Sequence, residues 1–228
     1  MKYIFFSLSL LWGWYLCGQD RSIEIDKVVT TQHQTVIKDQ KIAFNATTGT
    51  QPVWDSAGQT IAAVHYTYYE RTDINQKPMR PLVISFNGGP GSGSVWMHLA
   101  YTGPSILKID DEGFPVQPYG IKTNPYSILD IADIVFVNPI NTGFSRITDP
   151  HAKRETFFGV NADIKYLAEW LNTFVSRANR WESPKYLIGE SYGTTRVSGL
   201  ALELQEQQWM YLNGVILCLL YTSPSPRD

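Results

Sequence analysis

The chain has 228 residues, 43% hydrophobic and 18% charged, with a formal net charge of -2. That balance suits a globular domain with a sizeable core and gives no basic footprint for nucleic acid. His33, His65, His98 and His151 are scattered without ligand spacing, so neither a metal site nor a cofactor is predicted.

Residues 1–18 read as a secretory signal peptide. Lys2 precedes an apolar core over 4–16, and Cys17-Gly18 offers small residues before the polar Gln19-Asp20-Arg21, with cleavage expected after Gly18. The core is too short to cross a bilayer comfortably, and Leu16 is bulky where a lipoprotein signal carries a small residue. No other segment could span a membrane, so the protein is expected to be secreted or periplasmic. Of the two cysteines, Cys17 falls in the signal and Cys218 near the end, which leaves the domain between them without disulfides.

Residues 19–34 are polar and read as loosely ordered. Short alternating stretches at 35–38 and 41–44, then a longer one at 60–69, predict strands, with turns at Gly49 and 55–58. Nearly continuous apolar runs at 81–86 and 131–137 suit strands buried on both faces. Residues 157–178 predict an amphipathic helix with Val160, Ile164, Leu167, Leu171 and Phe174 on one side. A strand at 186–188, a helix at 194–208 and the beginning of a buried strand at 211–217 complete the pattern. Strands alternating with helices indicate an α/β domain over 35–217, its mixed sheet opening with antiparallel strands and continuing with parallel ones. Residues 218–228, from Cys218 to Asp228, resemble the conceptual translation of a sequencing adapter. They are read as a non-native tail on a gene fragment that ends near Leu217.

The chemistry concentrates in two places. Gly189-Glu190-Ser191-Tyr192-Gly193 fits G-x-S-x-G between a predicted strand and a predicted helix, the setting of a nucleophile elbow. Asn87-Gly88-Gly89-Pro90-Gly91-Ser92-Gly93-Ser94 follows the 81–86 strand. Its glycines would let backbone N–H groups approach a developing oxyanion. It lacks both G-x-x-x-x-G-K-[ST] and G-x-G-x-x-G, which speaks against a phosphate cradle.

Asn87-Gly-Gly-Pro-Gly91, Asn141-Thr-Gly-Phe-Ser145 and Gly189-Glu-Ser-Tyr-Gly193 together resemble the three N-terminal signatures of the serine carboxypeptidases, peptidase family S10. The resemblance runs from about Gln51 to Leu217. It implies an α/β-hydrolase fold, of which this chain would be the N-terminal portion. Ser92, where many eukaryotic members have cysteine, makes the chain look like the bacterial branch. The resemblance implies Ser191 as nucleophile and the N–H groups of Gly89 and Tyr192 as the oxyanion hole. Asn87, Gly88 and Glu190 would bind the carboxylate of peptide substrates with a free C-terminus. Glu190 must be protonated to hold another carboxylate, which favours acidic pH. A second acid in many members corresponds here to Tyr101.

The fold orders its triad Ser, Asp, His. No histidine follows Ser191, and Asp228 is the only later aspartate. A serine without its base is a poor nucleophile, so this polypeptide is expected to be nearly inert while its parent is an enzyme. Two other readings compete: an esterase or acyltransferase on the same scaffold, and a non-enzymatic secreted binding domain. Asn45-Ala-Thr47 is a glycosylation sequon, meaningful only in a eukaryotic secretory pathway.

Overall fold

Successive side chains of a strand face opposite ways, so a strand that is apolar throughout must be covered on both sides. That is how the centre of this sheet is built. In the computed structural model, which describes residues 23–75 and 77–219, the chain begins with a long hairpin, β1 (Val28–Ile37) and β2 (Gln40–Trp54), followed by β3 (Thr60–Arg71). The later sheet strands are β4 (Leu82–Phe86), β7 (Asp133–Val137), β9 (Lys185–Glu190) and β10 (Gly214–Cys218). A separate hairpin pairs β5 (Ser105–Leu107) with β6 (Ile121–Thr123), and β8 (Arg146–Ile147) adds to β3. The order across the main sheet is β1-β2-β3-β7-β4-β9-β10. The β1, β2, β3 and β7 contacts are antiparallel, whereas β7, β4, β9 and β10 run parallel. This is the mixed sheet of an α/β-hydrolase.

Two helices, α1 (Val160–Arg177) and α2 (Tyr192–Gln207), cover one face. Leu82, Ile84, Val135, Val137 and Leu187 point into that layer and meet Leu167, Leu171 and Phe174 of α1 and Leu200 of α2. The alternate residues Val83, Ile134, Phe136 and Ile188 form the opposite cluster with Met97. The helices approach closely at Gly199, where a Cβ would lie 2.0 Å from Ile164 Cδ1.

Four expectations need correction. Residues 28–34 belong to β1, paired from Val28↔Gly49 to Ile37↔Gln40. The strand lies at the sheet edge with most of its residues exposed, so it lacks the alternation that marks a half-buried strand. Gly49 is inside β2 rather than at a turn. It is glycine because a Cβ there would lie 2.5 Å from Lys27 O. Val160 is 45% exposed at the start of α1, and the buried stripe runs instead through Tyr166, Leu167, Trp170, Leu171 and Phe174. The last strand starts at Gly214, and Val215, Ile216 and Leu217 are 39–46% exposed rather than buried. It also includes Cys218, one residue into the stretch assigned to the tail. The predicted signal peptide and residues 220–228 lie outside the described residues.

Candidate active site

Ser191 separates the last residue of β9 from the first of α2, with φ 57° and ψ −121°. A side-chain-bearing residue in such a conformation costs about 1–3 kcal/mol and persists only where its surroundings impose it. Here they do. Ser191 N–H donates to Cys218 O at 2.9 Å, and Ser191 O accepts from Thr194 N–H at 2.9 Å and Thr194 Oγ1 at 2.7 Å. The flanking glycines admit no side chain. A Cβ at Gly189 would lie 2.1 Å from Gly193 O, and one at Gly193 would lie 3.0 Å from Phe86 O. The result is an exposed serine hydroxyl at the C-terminal end of the parallel strands.

The 87–94 loop leaves β4, the neighbouring strand, and crosses beside this turn. Asn87 Oδ1 accepts from Met97 N–H at 3.0 Å, which turns its amide nitrogen toward Glu190. Glu190 Oε2 accepts from Asn87 Nδ2 at 3.0 Å and from Gly88 N–H at 3.3 Å. The structure therefore joins Asn87, Gly88 and Glu190 directly. Gly89 follows in an exposed turn with φ +35°. Tyr192 occupies the first helical position, whose N–H has no acceptor within its own helix.

One element of the site gave no sequence signal. Arg196, one turn into α2, is 1% exposed. Its Nε donates to Asp163 Oδ2 at 2.7 Å and its Nη1 to Asn87 O at 3.0 Å. The guanidinium also stacks 5.2 Å from the Tyr192 ring centre. Tyr166 OH donates to Asp163 Oδ1 at 3.3 Å and accepts from Ile140 N–H at 2.9 Å. Burial pushes the Asp163 carboxyl above its usual range, against the pull of Arg196. This chain of contacts ties both helices to the loops on either side of the serine.

The family model for serine carboxypeptidases matches residues 38–218. The chain belongs to the serine carboxypeptidase family, peptidase S10. Serine carboxypeptidase-like 8 of Arabidopsis thaliana is 28% identical over 148 residues, covering 64% of this chain and 33% of that protein. Serine carboxypeptidase-like 36 of the same plant is 30% identical over 157 residues, covering 67% and 30%. The human retinoid-inducible serine carboxypeptidase is 30% identical over 142 residues, covering 61% and 28%. The chain thus spans about a third of the length of these relatives. Among solved structures, the prohormone-processing carboxypeptidase KEX1(delta)p of Saccharomyces cerevisiae superposes with a TM-score of 0.56 at 21% identity, covering 77% of this chain and 38% of that one. That likeness supports the fold.

Of the other residues singled out in the sequence, Tyr101 lies in a short turn over Met97–Thr102 and is 54% exposed. His151 is exposed and His33 sits on the edge strand β1. Among the described residues, no group of three His, Cys, Asp or Glu side chains is placed to hold a metal ion, and no helix is long and apolar enough to cross a membrane. A second buried ionic cluster lies at the opposite end of the parallel strands. Asp133 accepts from Arg80 Nε at 2.7 Å and from Arg180 Nη1 at 2.6 Å.

Proposed function

We propose that this protein is an exported serine carboxypeptidase, acting on peptides with a free C-terminus. In this reading the Ser191 hydroxyl attacks the last peptide carbonyl, and the N–H groups of Gly89 and Tyr192 stabilise the oxyanion that forms. Asn87 Nδ2, Gly88 N–H and Glu190 grip the terminal carboxylate. Two ionised carboxylates repel, so Glu190 carries a proton when it holds the substrate. Asn87 Nδ2 carries two hydrogens and can keep one on Glu190 Oε2 while the other meets the substrate. The single Gly88 N–H, 3.3 Å from Oε2 in the structure, would pass to the substrate carboxylate, and Oε1 would bear the Glu190 proton.

A general base must take the Ser191 proton, and an acid must orient that base. No histidine follows Ser191 in the sequence. The proposed mechanism draws both groups from residues that the sequence does not contain. Without them turnover falls by roughly a million-fold in comparable triads, so the chain alone is expected to be close to inert. Export to the cell exterior or periplasm rests on the 1–18 signal-like segment, and the bacterial assignment rests on Ser92.

The observation that carries the proposal is Glu190 beside the nucleophile, held by Asn87 and Gly88. An ester without a carboxylate would leave that arrangement with nothing to bind. The test uses a polypeptide that extends this chain with the missing aspartate and histidine. Wild type and Glu190→Gln are compared on a blocked dipeptide and on its C-terminal amide. Wild type should prefer the acid at low pH and lose rate as pH rises. Glutamine donates at any pH, so the variant should lose that falling limb. Equal rates on acid and amide, with one pH profile for both enzymes, would move the assignment to an esterase.

A further inference from the structure

The carboxamide of Asn138 lies between glycines from two different loops. A Cβ at Gly93 would come within 3.0 Å of its Oδ1, and one at Gly143 within 2.7 Å of its Nδ2. The polarity of the contacts around it can be followed atom by atom. Ser94 N–H donates to Asn138 Oδ1 at 2.8 Å, so Nδ2 points the other way, to His65 Nδ1 at 2.9 Å. An amide N–H needs a lone pair there. His65 Nδ1 is therefore bare, and the ring proton sits on Nε2, which donates to Thr48 Oγ1 at 3.0 Å. The Thr48 hydroxyl hydrogen goes on to Tyr66 O at 3.3 Å.

The same contacts reach the active-site loop. Ser94 Oγ accepts from Asn87 N–H at 3.3 Å and donates to Val137 O at 2.5 Å. The main chain reinforces the junction. Asn138 N–H donates to His65 O at 3.0 Å, His65 N–H to Ser145 Oγ at 2.8 Å, and Ser145 Oγ to Asn138 O at 2.5 Å.

We infer that neutral His65 is a positioning residue for the 87–94 loop, acting through Asn138 and Ser94, and that protonation of its Nδ1 in acid unlatches that loop. Protonation would turn the acceptor into a donor facing a donor. The consequence for catalysis rests on the carboxypeptidase reading, because the loop carries Asn87, Gly88 and Gly89.

The surroundings of His65 decide when the latch fails. β2 offers the neutral Thr48, the end of β7 offers Asn138, and the following loop sets the Phe144 ring edge-on at 5.2 Å. Arg146 of β8 turns its guanidinium to the Gly143 and Ser145 carbonyls at 2.8 and 2.7 Å. The turn over Met97–Thr102 contributes His98. Thr48, Asn138, Phe144 and His98 border, with His65 itself, a cleft of about 500 Å³, and no carboxylate is among its described lining residues. Nothing there stabilises an imidazolium, and burial lowers the proton affinity of His65. The latch is thus set to hold into mildly acidic solution and to open below the ordinary range of a histidine.

The test is an NMR titration of the whole chain, labelled with 15N in its backbone and histidine rings. At neutral pH the His65 Nδ1 signal should be that of an unprotonated ring nitrogen, and its titration midpoint should lie below 6.5, the ordinary value. The amide signals of Asn87, Gly88 and Ser94 should move with that midpoint, not with the separate one of His98. His65→Asn sets its Oδ1 at the level of the imidazole Nδ1 and presents an acceptor to Asn138 at every pH, so those amides should keep their neutral-pH positions and lose the titration. A purely structural histidine would not give this pattern of rescue. A proton on Nδ1 at neutral pH, or loop amides that stay fixed while His65 titrates, would overturn the inference. Neither signal depends on hydrolysis, so failure of the carboxypeptidase reading would show in substrate assays and leave these signals in place.

Discussion

Gly88 and Ser191 meet with no space between them. A Cβ on Gly88 would lie 2.5 Å from Ser191 Cβ and 2.7 Å from Tyr192 N. The two loops of the candidate site therefore fix each other's position, and the register between β4 and β9, with Phe86 opposite Gly189, brings them together. Overpacking of this kind costs about 1–3 kcal/mol, and a 1 Å displacement of reacting groups costs about 100-fold in rate. Gly88→Ala should lower the unfolding free energy, read from urea denaturation, by about 1–3 kcal/mol. In a catalytically complete polypeptide it should reduce kcat/KM by about two orders of magnitude. Unchanged stability and turnover would mean that the loops are not in contact.

The Asp133 cluster gives a second test. Asp133 is 0% exposed, between Arg80 and Arg180, so its removal leaves two buried guanidinium groups without their shared partner. Asp133→Ala should cost about 3–5 kcal/mol. The Asp26–Arg177 pair joins the same types of group on the surface, and Asp26→Ala should cost under about 1 kcal/mol. Equilibrium denaturation of the two variants side by side checks the contrast.

Arg196 couples stability to the site. Arg196→Met strands Asp163 and frees Asn87 O, with an expected loss of about 3–5 kcal/mol. Replacing both partners with apolar residues removes the stranded charge. The Arg196→Met/Asp163→Leu pair should therefore recover much of the loss, which a double-mutant cycle measures. Additive losses would show that the two residues do not form one unit.

Acid should weaken the fold through the partly buried His98. Burial, with a smaller contribution from His65, pushes His98 down from 6.5 to about 4, while its Nε2 sits 2.7 Å from Tyr69 OH. The unfolded chain takes up this proton near 6.5 and the folded chain resists until about 4. Stability is therefore complete above the unfolded value and falls as pH drops between the two, by about 1.4 kcal/mol per pH unit for one such group. His98→Gln should flatten this fall in urea titrations between about pH 7 and pH 4.5. An equally steep fall in the variant would assign the acid sensitivity elsewhere.

Legibility in the sequence followed local constraint. β4, β7 and β9 could be read because burial on both faces demands unbroken apolar runs. The elbow could be read because a serine at φ 57° between strand and helix leaves little room for a side chain two residues before and two residues after it, at Gly189 and Gly193. By contrast, the first half of β1 pairs only along an exposed edge, so nothing in its residues distinguishes strand from loop. Asp133 meets Arg80 and Arg180 across 53 and 47 residues, and Arg196 meets Asp163 across 33. Such pairs carry no local pattern. Gly49 misled for a related reason: a glycine that admits the preceding chain looks the same in sequence as one that turns.

The measurement closest to the central claim is covalent labelling by a fluorophosphonate, mapped by mass spectrometry. It uses a polypeptide in which this chain is extended to supply the aspartate and histidine that the proposed mechanism requires. The account predicts a single adduct on Ser191, lost together with release of C-terminal residues in Ser191→Ala while the fold is retained. An adduct on another serine, or peptide hydrolysis that survives Ser191→Ala, would contradict it.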